Sequence, residues 1–278
     1  MKLGKHVSIS GGIDKSPARA DEIGCNCLQI FLKNPRGWKA RKIDDEEILR
    51  FNEEMKKHKM KELVVHSTYL INLATPKDEL WEKSIAGLLD DYQRCGYIGA
   101  DYLVLHPGSH TGSGVEEGIS RIAEGLNKLF AEVDINTKIL LENVSGAGTA
   151  IGSNFQEIHD IIKKIDDKKR VGLCLDTCHA FSAGYNIGNK ENLEKMLDEI
   201  DENVGLEKLR VIHINDSKYD IATNKDEHAH IGKGYIGKDG FKTFINHPEL
   251  RELTFILETP QFDGDDEDVE ILFELYED

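Results

Sequence analysis

Eight short apolar runs, separated by longer stretches of helical periodicity, set the strongest limit on what this chain can fold into. They are residues 5–10 (KHVSIS), 27–32 (CLQIFL), 63–66 (LVVH), 102–106 (YLVLH), 138–143 (KILLEN), 171–176 (VGLCLD), 209–215 (LRVIHIN) and 254–259 (TFILET). They lack period-2 polar alternation, so they read as strands buried on both faces, as in a parallel sheet. Between them lie amphipathic segments such as 44–58, 78–96 and 115–130. Asp44 and Asp78 are expected as N-caps ahead of acidic first turns, and Gly96 and Gly99 punctuate the end of the third helix. Eight strand–helix units in 278 residues average about 35 residues each, the size of a (β/α)8 barrel unit. No Pro/Gly/Ser-rich linker interrupts the series. The expectation is one TIM-barrel domain over residues 1–278, ending in an acidic segment at 263–278. A long polar stretch, 215–240, makes the seventh unit irregular, and loops of that length are usually functional or disordered.

The start of the chain lacks the apolar core of a secretory signal, and no run approaches the ~18 apolar residues of a membrane span. Five cysteines (Cys25, Cys27, Cys95, Cys174, Cys178) without zinc-finger spacing read as reduced thiols, and a cytoplasmic location follows. The net charge of −16 argues against nucleic acid, whose phosphates favour basic surfaces. That objection is weakened by where the charge lies. Residues 263–278 hold nine carboxylates and no Lys or Arg, so the other residues carry only −7.

Chemistry is concentrated where the runs end. His66, His106, Glu142, Asp176, His213 and Glu258 close, or nearly close, the third to eighth runs. A barrel opens all these ends onto one face, where its active site is built. His179, three residues after Asp176, joins them, as do Asp226 and His228 of the seventh loop. A single such residue at a strand end is more often a structural hydrogen-bonding group. Nine in one mouth are different, because they would repel and desolvate one another unless cations neutralised the carboxylates. Mixed nitrogen and oxygen ligands suit zinc, with manganese or iron as alternatives. Nine ligands exceed one tetrahedral shell, so two or three ions are implied, and a glutamate such as Glu142 can bridge a pair. Ions about 3.5–4 Å apart are the usual clamp for in-line displacement at phosphorus.

Several features read as decoys. Gly232-Lys-Gly-Tyr-Ile-Gly237 has the G-x-G-x-x-G form but follows a polar loop rather than a strand, so no nucleotide cofactor is expected. His58, His110, His159 and His247 read as ordinary surface residues, and Cys174 and Cys178 as packing residues rather than nucleophiles.

Three longer motifs carry a resemblance: HSTYLINLA at 66–74, GLCLDTCH at 172–179 and IHINDSK at 212–218. Shorter ones extend it from the first strand to the last: HVSISGG at 6–12, HPGSH at 106–110, LENVSG at 141–146 and LETP at 257–260. In these the chain resembles endonuclease IV, the metal-dependent apurinic/apyrimidinic endonucleases. The resemblance implies three zinc ions: one on His66 and His106 with Glu142 bridging, a second completed by Asp176, His213 and Glu258, and a third on His179, Asp226 and His228. Their charge would offset much of the acidic balance at the mouth. It also implies a substrate, duplex DNA with an abasic site, hydrolysed on the 5′ side to leave a 3′-hydroxyl and a 5′-deoxyribose phosphate, with 3′-end cleaning besides. Glu142 would also orient the nucleophile. Arg36 matches the family's inserted arginine, and Tyr69 and Leu70 its minor-groove wedge; read without the resemblance, these are a solvated charge and loop packing. Lys33, Asn34 and Lys218 are weaker candidates for phosphate contacts. His230 departs from members that carry asparagine there. A monomer is expected, with weak non-specific DNA affinity. The rival reading is a sugar isomerase or epimerase of the xylose-isomerase-like superfamily, which Glu142, Asp176, His213 and Glu258 alone would satisfy. The five further ligands discriminate against it.

Overall fold

The computed structural model describes residues 1–260 and 267–277. Eight parallel strands close a barrel: β1 (Lys2–His6), β2 (Cys27–Ile30), β3 (Leu63–His66), β4 (Tyr102–Leu105), β5 (Lys138–Glu142), β6 (Val171–Asp176), β7 (Leu209–His213) and, after a two-stranded ladder of β8 (Asp216–Ser217) and β9 (His228–Ala229), β10 (Thr254–Leu257). Closure is made by β1 pairing with both β10 and β2. The helices are α1 (Ser16–Glu22), α2 (Asp45–Lys57), α3 (Asp78–Ile98), α4 (Val115–Glu132), α5 (Phe155–Lys163), α6 (Thr177–Ala183), α7 (Lys190–Asn203), α8 (Gly237–Ile245) and α9 (Glu267–Leu275). No helix among the described residues is long and apolar enough to cross a membrane. The five cysteines are buried.

Local signals hold at some ends and move at others. Asp44 caps α2 by accepting from the Glu47 amide at 2.8 Å, and Gly99 ends α3 in the left-handed conformation at φ 69°. Asp78 is not a cap. It is the first helical residue of α3, and its carboxylate instead accepts from Arg121. The first strand also shifts, to Lys2–His6 rather than the run beginning at Lys5. Gly4 explains this: a Cβ there would lie 2.6 Å from the Cys27 backbone and 2.8 Å from Ile256, so the glycine is what lets β1 close the barrel. Of the acidic segment, residues 267–275 form α9, while 263–266 lie outside the described residues.

Strand periodicity sorts the core into two shells. Leu28, Leu63, Val65, Leu103, Ile139, Leu173, Ile212 and Phe255 face the helices, and Cys27, Val64, Val104, Leu140, Cys174, Val211 and Ile256 fill the barrel. The interior layer determines the site. Two residues beyond each of these, on the same face, stand Gln29, His66, His106, Glu142, Asp176, His213 and Glu258, and two beyond Gly4 stands His6. The ionisable mouth is thus the next layer above a plug of small apolar side chains.

Candidate metal centre

The nine residues expected to converge do so. Their ligand atoms form three groups, each within 4.8 Å: His66, His106 and Glu142; Glu142, Asp176, His213 and Glu258; His179, Asp226 and His228. Glu142 is the hub. Its Oε2 lies 3.3 Å from His66 Nε2 and 3.1 Å from His106 Nε2, and its Oε1 lies 3.2 Å from both His179 Nδ1 and His213 Nδ1. Asp226 Oδ1 sits 3.1 Å from His179 Nε2 and 3.6 Å from His228 Nε2. His213 Nδ1 lies 3.2 Å from Glu258 Oε2.

A supporting ring fixes how these groups point. His66 donates from Nδ1 to the Ser67 carbonyl at 2.7 Å, which leaves Nε2 for the centre. Gln29 bridges His213 Nε2 (2.8 Å) and Glu258 Oε1 (2.6 Å), and its amide nitrogen also meets His6 Nδ1 at 3.0 Å. Asn215 donates to Asp176 Oδ2 at 2.7 Å and accepts from the Glu258 amide at 2.8 Å. Asn143 accepts from the Asp176 amide at 2.7 Å, and its carbonyl lies 2.9 Å from His179 Nδ1. Such partners set the ring orientation of metal-binding histidines. Sequence reasoning misses His6, Gln29 and Asn143. The signal that finds the first two is the interior register, since each stands two residues past an inward-facing position of its strand.

Charge is balanced tightly here. Burial would raise the Glu142 carboxyl, but His106 and His213 hold it well below the usual range. Burial likewise opposes charging His179, yet Asp176, Asp226 and Glu142 lift it well above the ordinary histidine value. His6 goes the other way, lowered to about 4 by burial despite Glu258 nearby, so it is neutral. The donor set fits divalent cations. Among the described residues His228 Nε2 is buried with no hydrogen-bond partner, aimed at Asp176 and Asp226, and a cation satisfies such an orphaned nitrogen. Cys178 lies close enough to Asp176 and His228 to form a further group, but burial pushes its thiol up to about 12. It remains a packing residue.

The candidate DNA-contacting residues divide. Tyr69 is 62% exposed, its ring 5.8 Å from that of His66 and 6.4 Å from that of His106, so it stands at the rim of the centre. Leu70 is half-buried beside it, and Arg36 and Asn34 are exposed on the β2–α2 loop. Lys33 is a correction. Its side chain is buried, 2.9 Å from Asp91 and 3.1 Å from Asp90, so its ammonium is held inside rather than offered to phosphate. Lys218 is exposed but ion-paired with Glu227. His230 does not face the nine ligands through Nδ1, which lies 2.8 Å from Asp268 of α9. His58, His159 and His247 are held by Asp21 and Glu54, the Asn203 carbonyl, and Glu194, while His110 accepts from the Gly112 and Gly114 amides. The Gly232–Gly237 pattern folds around a carboxylate: Asp216 Oδ2 accepts from the amides of Gly232, Gly234 and Gly237 at 2.9, 3.0 and 3.3 Å.

Residues 17–275 match the family model described as xylose isomerase-like TIM barrel. A protein named probable endonuclease 4 from Halothermothrix orenii is 58% identical over 272 residues, covering 98% of each chain. The chain belongs to the endonuclease IV family. Endonuclease IV from Thermus thermophilus superposes with a TM-score of 0.88 at 34% identity, covering 99% of this chain and 98% of that one. A D-tagatose 3-epimerase-like protein superposes at 0.72 with 21% identity over 99% of this chain and 97% of its own, a likeness of fold alone. The two comparisons separate the rival readings: the epimerase shares the barrel, and the endonuclease IV family shares the sequence as well.

Proposed function

We propose that this protein is a repair endonuclease that hydrolyses the phosphodiester 5′ to abasic sites in duplex DNA, leaving a 3′-hydroxyl and a 5′-deoxyribose phosphate. The observation that carries this reading is that three ligand groups adjoin in one mouth, two of them sharing the buried carboxylate of Glu142. We assign His66, His106 and Glu142 to one zinc ion, Glu142, Asp176, His213 and Glu258 to a second, and His179, Asp226 and His228 to a third, with manganese or iron able to replace zinc. Such ions supply a nucleophile from water at neutral pH and neutralise charge developing on phosphorus and on the leaving oxygen. The residues do the rest. Glu142 spans the centre and orients the attacking group, while Gln29, Asn143 and Asn215 keep the ligands aimed inward. Arg36, Tyr69 and Leu70 would fill the gap left by the missing base and hold the bent duplex over the centre. The same site would accept blocked 3′ ends, because their phosphodiester presents the same chemistry. The protein would act as a monomer.

The test is incision of a duplex carrying one tetrahydrofuran abasic analogue, compared with the intact duplex and with ketoses. Sugar isomerisation without incision overturns the reading, and one ion per chain in an active preparation overturns the trinuclear assignment. Tyr69→Ala should raise KM for the abasic duplex about tenfold, given ~1–3 kcal/mol for an aromatic stacked against a base. Its metal content should not change. Unaltered KM would remove Tyr69 from the wedge.

A further inference from the structure

We infer that one face of α3, formed by Ser84, Gly87 and Asp91, is a common seat that sets the spacing between the two loops bearing Arg36 and Tyr69–Leu70. The inference rests on the DNA-binding reading above. Arg36 is flanked on both sides, and Tyr69–Leu70 is followed, by residues that dock on this face. In the β2–α2 loop, Lys33 and Trp38 flank Arg36. Lys33 donates to the Gly87 carbonyl at 3.0 Å and lies 2.9 Å from Asp91, while Trp38 packs over Gly87. In the β3–α3 loop, Ile71 and Asn72 follow Tyr69 and Leu70. The Asn72 amide donates to Ser84 Oγ at 3.1 Å, and Ile71 also packs against Gly87. Between the loops the Tyr69 amide donates to the Pro35 carbonyl at 3.2 Å.

Gly87 is the critical position. A Cβ built there would lie 3.2 Å from the Trp38 ring and 3.8 Å from Ile71. Glycine inside a helix costs roughly 1 kcal/mol relative to alanine, so local stability alone disfavours it. Its use makes sense if the close approach of Trp38 matters. Asp91 is the second unusual group. It is buried beside Lys33, and burial pushes its carboxyl up to about 6 against the pull of Lys33. A buried ion pair is weak evidence for stability, and fixing the β2–α2 loop on α3 is the role inferred for this one. Gly87, Lys33 and Asp91 are therefore positioning residues: they touch neither the metal ligands nor, on this reading, the DNA.

Gly87→Ala separates positioning from stability. Helix propensity favours the variant, so its melting temperature should be unchanged or higher. Displacement of Trp38 should loosen both loops, so amide exchange should rise together in residues 31–41 and 67–74 of the free protein. With the abasic duplex, KM should increase about tenfold, because Trp38 must give by a few tenths of an ångström, less than the ~1 Å misplacement that costs about a hundredfold, while metal content stays at the wild-type value. Trimming the ring in Gly87→Ala/Trp38→Phe should restore KM. Lys33→Met/Asp91→Leu, which removes the charges together, should raise KM and exchange in the same direction. If wild-type protein incises and Gly87→Ala keeps its KM and exchange pattern, the seat is refuted. If exchange rises in only one loop, the coupling is refuted. If wild-type protein does not incise, the functional reading fails, and exchange alone still decides whether α3 couples the loops.

Discussion

Glu142→Gln is expected to lower the incision rate by roughly three orders of magnitude or more while leaving DNA binding measurable. The size follows from what the residue does. Two metal groups share its carboxylate, and it is fully buried within 3.1 to 3.3 Å of four imidazoles. Glutamine matches the shape but replaces one anionic oxygen with an NH2 group, which would present hydrogens to whichever ions or rings that oxygen served. Metal-based charge stabilisation is worth several kcal/mol, and each 1.36 kcal/mol is tenfold in rate. Binding should survive because Arg36, Tyr69 and Leu70 lie on loops outside the buried hub. The measurements are single-turnover incision, gel-shift affinity and metal analysis on one preparation. Incision at the wild-type rate would refute the bridging role. Loss of all DNA affinity along with rate would instead mean that Glu142 holds the loops as well as the centre.

How much of this is legible in the sequence depends on whether a residue acts along its own strand or across the fold. Seven of the nine candidate ligands are legible because each lies at or just behind a strand end, and a parallel barrel sends all those ends to one face; Asp226 and His228 are legible only through the long polar loop that follows β7. Six of the seven stand two residues past an interior residue of their own strand, Val64, Val104, Leu140, Cys174, Val211 or Ile256. Gln29 and His6 obey the same offset, yet an amide and a lone histidine inside apolar runs look like ordinary polar interruptions until the barrel closes. Lys33 shows the opposite failure. Beside Asn34 and Arg36 it looks like part of a cationic loop, but Asp90 and Asp91 arrive from α3, more than fifty residues away, and draw it inside. The shift of β1 has a similar origin, because the need for glycine at position 4 comes from its neighbours Cys27 and Ile256. The G-x-G-x-x-G pattern fails as a nucleotide motif on its context, and only the fold reveals what its amides hold.

That last arrangement carries the second large expected effect. Asp216→Ala should destabilise the protein by about 3 kcal/mol or more and strip the ion assigned to His179, Asp226 and His228. Asp216 is buried and accepts five backbone N–H groups: Ser217 and Ile236 on Oδ1 at 2.8 and 2.9 Å, and Gly232, Gly234 and Gly237 on Oδ2. Leaving buried donors without an acceptor costs ~1–3 kcal/mol each where water cannot reach them. Gly234 approaches so closely that a Cβ would lie 2.3 Å from the Ser217 carbonyl, so the loop has little room to rearrange around a smaller side chain. The consequence reaches the centre through the ladder in which Asp216 pairs with Ala229 and Ser217 with His228. When that ladder loosens, His228 and neighbouring Asp226 lose their registered positions, whereas His66, His106, Glu142, His213 and Glu258 sit on or beside barrel strands and keep theirs. The melting temperature should fall by roughly 10 °C, at ~2–4 °C per kcal/mol for a domain near this size, and metal analysis should show one ion fewer per chain. Asp216→Asn, which keeps one acceptor oxygen, should lose about half as much stability. A fully loaded Asp216→Ala protein melting at the wild-type temperature would show that the loop is organised by its glycines alone.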